Sequence, residues 1–65
     1  MAGVHKYRAS KAVTIANDLF VKGDFLYIEN STGFKQVFNS EKKFVGSISK
    51  SQYNQIVKSL EQIAE

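Results

Sequence analysis

The side chains able to move protons or hold metals are few. His5 is the sole imidazole, and no carboxylate stands near it in sequence, so an exposed ring is expected rather than a general base. Asp18 and Asp24 are explained by turn and capping roles. With no Cys there is no thiolate nucleophile, no disulfide framework and no thiolate-ligated zinc or iron–sulfur site. One His with scattered carboxylates does not make a transition-metal set. Gly23, Gly33 and Gly46 lack the spacing of a phosphate loop. No catalytic residue, metal or cofactor is assigned, and a binding module rather than an enzyme is expected.

The basic residues offer more. Nine Lys and Arg stand against six Asp and Glu, a net charge of +3, which favours acidic partners, nucleic acid first. Arg8 is the one Arg, and bidentate reading of bases belongs to Arg, so little sequence specificity is expected. Lys35, Lys42, Lys43 and Lys50 fall on the second and third predicted strands, their turn and the start of the last helix. A sheet edge gathering them, with Arg8, is the expected nucleic-acid contact. Lys6 and Lys11 extend it. The plainer account is that such lysines keep a small protein soluble and its sheet edges unpaired.

These groups need elements to position them. Ala12, Val13, Ile15, Ala16, Leu19 and Phe20 recur at helical spacing, with Ser10 as cap and Lys22-Gly23 as the end, predicting a first helix. A strand is the competing reading there, because Val13 and Ile15 alternate with Thr14 and Ala16. Residues 24–29 and 34–38 read as a hairpin about the turn Asn30 to Gly33, and residues 43–48 as a third strand after the turn 39–42. Ser49 and Gln52 form a capping box that starts a second helix at Lys50, with a stripe of Tyr53, Ile56, Val57, Leu60, Ile63 and Ala64. The expected architecture is α+β, in the order α-β-β-β-α: a three-stranded antiparallel meander packed on one face by one or two helices. Residues 1–9 are expected to be a flexible lead-in and 10–65 a single domain.

The run Phe25-Leu26-Tyr27-Ile28 is apolar without alternation, as in a strand covered on both faces. A four-residue first loop sets Glu29 opposite Phe34, Tyr27 opposite Gln36 and Phe25 opposite Phe38, with Leu26 opposite Val37 on the other side. The second loop leaves two registers open, since a slip of one residue inverts a strand. Three loop residues put Phe44 and Ile48 with Phe25, Tyr27, Phe34 and Phe38 in an aromatic core. Two or four put Phe44 and Ile48 with Leu26, Ile28 and Val37. Phe25, Tyr27, Phe34 and Phe38 then form an outer face, either a stacking platform or a protein interface. The alternative to nucleic-acid binding is thus a protein–protein module, a homodimer or a partner with an acidic surface.

A chain of 65 residues buries only about 60% of its unfolded surface, which sharpens the suspicion that a partner completes it. No run is long enough to span a membrane and no signal-peptide pattern opens the chain, so a cytoplasmic, intracellular location is expected. The order helix, three strands, helix is similar to that of the double-stranded-RNA-binding domain. Only Lys50 represents that family's basic cluster, and no family residues are carried over.

Overall fold

Alternation of apolar and polar residues, the mark of a strand with one buried face, governs far more of this chain than helical spacing does. The computed structural model describes residues 3–31 and 33–63, and its elements are mostly strands. They are β1 (Val4–Ala9), β2 (Val13–Ile15), β3 (Asp18–Phe20), β4 (Phe25–Asn30), β5 (Phe34–Asn39) and β6 (Phe44–Ser49). The helix α1 (Lys50–Ile56), a 3₁₀ turn (Val57–Ser59) and β7 (Leu60–Ile63) follow. A five-stranded antiparallel sheet runs in the order β6-β5-β4-β1-β7, and β2 pairs with β3 in a separate hairpin. The expected α-β-β-β-α meander is therefore corrected at both ends.

The predicted first helix is the hairpin β2–β3. Three successive β-branched residues, Val13, Thr14 and Ile15, lose side-chain freedom in a helix and fit an extended chain. Ala16 and Asn17 then both take left-handed backbone, with φ of 51° and 71°, the two-residue turn that matches strand twist. Gly23 is left-handed too, but it serves a turn in which the Asp24 amide donates to the Val21 carbonyl at 3.0 Å. The Asp24 carboxylate accepts the Val21 amide at 3.0 Å in return.

The lead-in segment supplies the sheet's second-to-last strand. In β1, Tyr7 and Ala9 are buried and Arg8 between them is exposed, so one face is apolar and the other wet. The second helix starts at its capping box, with the Ser49 hydroxyl accepting from the Gln52 amide and the Gln52 side chain accepting from the Ser49 amide. It stops at Ile56, because beyond it the open edge of β1 has unpaired amides and carbonyls to satisfy. The chain extends, Ser10 donates to the Ser59 carbonyl at 2.8 Å, and Leu60 pairs with Ala9. Ala64 of the predicted stripe lies outside the described residues, as does Thr32 of the first turn.

Tyr7, Ala9, Leu26, Ile28, Val37 and Ile48 form the buried face of the sheet. Ile15 and Phe20 from the hairpin complete this core, and Tyr53, Ile56 and Leu60 pack against it. A Cβ built on Gly46 would meet the Ala16 Cβ at 2.7 Å, so the hairpin tip rests directly on β6. No helix among the described residues is long and apolar enough to cross a membrane.

Both hairpin registers differ from the expected ones. Glu29 pairs with Gln36, Tyr27 with Phe38 and Ile28 with Val37, a slide of two residues that leaves every side chain on its expected face. Asn30 extends β4 by donating its amide to the Gly3 carbonyl at 2.7 Å. In the second hairpin Gly46 pairs with Val37 but Phe44 pairs with Phe38, leaving Val45 as a bulge. The bulge splits the two residues that both predicted registers kept together. Ile48 joins the core, and Phe44 turns outward with Phe38.

Candidate nucleic-acid interface

The face opposite the core is built of cross-strand rows, since residues paired across an antiparallel ladder project to the same side. One row crosses the whole sheet: Phe44 pairs with Phe38, Phe38 with Tyr27, Tyr27 with Lys6, and Lys6 with Ile63. Beside it Phe25 pairs with Arg8 and Arg8 with Glu61. On its other flank Ser47, Gln36, Glu29 and Val4 form a polar row, in which the Ser47 hydroxyl donates to Gln36 Oε1 at 2.9 Å. Beyond that, Phe34 pairs with Ser49.

Aromatic rings stay accessible here. Phe25 is 37%, Phe34 56% and Phe44 60% exposed, whereas Tyr27 and Phe38 are half-buried by their neighbours. The Phe38 and Phe44 rings meet edge to face, with centroids 5.8 Å apart. Cations lie across the others. Lys6 Nζ is 4.6 Å from the Phe25 centroid and Lys42 Nζ is 5.2 Å from that of Tyr27, within the range of cation–π attraction.

Lys42 reaches Tyr27 because its turn is tightly specified. Asn39 Oδ1 accepts the amides of Glu41 at 2.9 Å and Lys43 at 3.0 Å, the Lys42 amide donates to the Asn39 carbonyl at 2.8 Å, and Lys42 is left-handed at φ 65°. Arg8 is engaged by Glu61, Nη2 to Oε1 at 2.6 Å, and both side chains are about half exposed. That contact borders a shallow cleft of about 290 Å³ lined by Arg8, Ser10, Lys22, Gly23 and Glu61.

The expected basic edge is divided. Lys42 and Lys43 stand at the β5–β6 turn, while Lys35 and Lys50 stand at the opposite end of those strands. Lys35 turns away from the aromatic face, donating to Asn30 Oδ1 and lying 4.7 Å from the Tyr53 ring centroid. Arg8 is on the aromatic face, as are Phe25, Tyr27, Phe34 and Phe38. Of the two registers left open for the second hairpin, Phe44 follows the one that groups it with Tyr27 and Phe38 while Ile48 follows the other, and Lys6 joins the row beside them. Its signal was present in the alternation of Val4 to Ala9, which puts Lys6 and Arg8 on one side and Tyr7 and Ala9 on the other. His5 lies at the sheet margin, 3.3 Å from the Gln62 amide nitrogen. Burial, then a hydrogen bond to Tyr53 at 2.8 Å, hold the Tyr7 phenol well above the ordinary value of 10.0.

No protein-family model, curated protein or solved structure matches the chain. The functional reading therefore rests on this face alone.

Proposed function

We propose that this protein is a small non-enzymatic module that binds nucleic acid, with little sequence specificity, through the outer face of its sheet. The observation that carries the reading is the row Phe44-Phe38-Tyr27-Lys6, with a second lysine, Lys42, laid over Tyr27. Flat apolar rings bordered by ammonium groups suit a polymer of flat bases joined by phosphates. The contact moves from the edge to the face, and of the five cations expected to share it, Arg8 lies on that face and Lys42 reaches over Tyr27. The net charge of +3 adds attraction at long range. We read the cytoplasm as its place of work.

A salt titration against mixed-sequence oligonucleotides tests this. Affinity should fall as salt rises, and Lys6→Ala and Lys42→Ala should each weaken binding and flatten the log–log slope by about 0.7 to 0.9. Absence of binding at low salt would sink the proposal.

The second reading is self-association. Phe25, Phe34 and Phe44 are exposed on this same face, a feature often found where proteins meet. Two copies joined there would bring Lys6 and Lys42 of both into one interface, which disfavours it. A dimer by sedimentation that dissociates on Phe44→Lys would favour this reading over nucleic acid.

A further inference from the structure

We infer that the nucleic acid taken by this face is single-stranded and lies across the β-strands, with successive bases over the aromatic row. This rests on the reading of the face as a nucleic-acid surface and specifies its substrate.

Phe44, Phe38 and Tyr27 occupy three adjacent strands, and neighbouring strands are about 4.8 Å apart, so the row offers ring surface along about 10 Å. That length matches two or three bases and lies perpendicular to the strands. A duplex cannot use it, because its bases are stacked on one another and present only their edges in the grooves. Unpaired bases have free faces, and those faces gain from aromatic contact whatever their sequence. The face also lacks what duplex recognition uses. Among the described residues the β2–β3 hairpin and α1 pack with the core on the other side of the sheet, and the one Arg is engaged by Glu61.

Lysine placement fits the same path. Lys42 and Lys6 lie over Tyr27 and Phe25 in the absence of nucleic acid. An incoming base takes the ring face, and the displaced ammonium, on a flexible stem, swings to the phosphate beside that base. One attraction is exchanged for two. Arg8, in register with Phe25, flanks the β1 end of the row, so with Lys6 and Lys42 it puts three cations beside the path.

The test compares fluorescently labelled oligo-dT and oligo-U of roughly twelve nucleotides with a mixed-sequence duplex of equal length, by anisotropy at one salt concentration. The single strands should bind about tenfold or more tighter than the duplex. Phe38→Leu and Phe44→Leu should each weaken single-strand binding by about fivefold to a hundredfold, with duplex binding unchanged. Urea unfolding of both variants separates lost contact from lost fold, and Phe44→Ser, at a more exposed position, repeats the test should Phe38→Leu unfold. Tighter binding of oligo-U assigns RNA and of oligo-dT assigns DNA, and either supports the stacking. Equal binding of duplex and single strands, unaffected by the Phe variants but dependent on Lys6 and Lys42, overturns the single-strand inference and leaves the nucleic-acid reading standing. Absence of binding to all three probes overturns both.

Discussion

Glu61 neutralises a cation of the aromatic face, and an effect on the proposed binding follows from that contact. Holding Arg8 at 2.6 Å, it keeps the guanidinium from a phosphate. Glu61→Gln should therefore strengthen single-strand binding and steepen the salt slope by about 0.7, read from the same titration. An exposed pair of this kind contributes little to stability, so the unfolding midpoint should barely move. Gly46 is a stricter position. An added Cβ would stand 2.7 Å from the Ala16 Cβ, and Gly46→Ala should lower stability by about 1–3 kcal/mol in urea unfolding. Ala16→Gly removes the opposing methyl and relieves a left-handed residue, so the double variant should recover most of the loss, a coupling that independent sites would not show.

At the scale of elements, the hydrogen bond between the Tyr7 and Tyr53 hydroxyls ties α1 to β1. Tyr53→Phe strands the Tyr7 hydroxyl in the core and should cost about 1–2 kcal/mol, whereas Tyr7→Phe with Tyr53→Phe should be close to neutral. The same burial sets a pH dependence. The Tyr7 pKa is raised in the folded state, so the unfolded chain releases this proton first. Stability is intact below the ordinary tyrosine pKa of 10.0 and falls as pH climbs past it; Tyr7→Phe should flatten that decline in alkaline urea titrations. What was legible in the sequence follows from how local the determinants are. The capping box at Ser49 and Gln52 is complete within four residues and was readable. So were the β4–β5 hairpin and its faces, since a slide of two residues preserves parity. The segment Ala12 to Phe20 was not, because its apolar positions satisfy a helix and a hairpin equally until Ala16 and Asn17 adopt left-handed backbone. The bulge at Val45 left no composition signal, and on it depended the placement of Phe44 in the aromatic row.

For the whole molecule, the decisive pairing is the most distant in sequence. Lys6 to Ala9 meet Leu60 to Ile63 across more than fifty residues. Neither segment announces a partner, so the closing of β7 on β1 could not be read from local spacing, and with it went the reading of residues 1–9 as a lead-in. Deleting those residues should abolish cooperative unfolding, because the sheet loses the strand joining β4 to β7 and the core loses Tyr7 and Ala9. A far-ultraviolet circular dichroism melt checks this, and a retained sharp transition would show that β1 is dispensable. Long-range pairing also predicts slow folding for this size, in milliseconds to seconds by stopped flow, because loop closure precedes most of the stabilising contacts.

That same pairing makes the backbone close to a ring. Antiparallel register puts Lys6 directly opposite Ile63, about 5 Å apart, so the outer ends of β1 and β7 emerge side by side at one corner of the sheet. A short flexible splice there would join β7 back to β1 without disturbing a strand, and new ends could be cut beside Gly33, which lies outside the strands. Such a permuted chain keeps the aromatic row whole. It also means the fold can be carried as an insert in a surface loop of a host protein, entering and leaving through a single corner of the sheet.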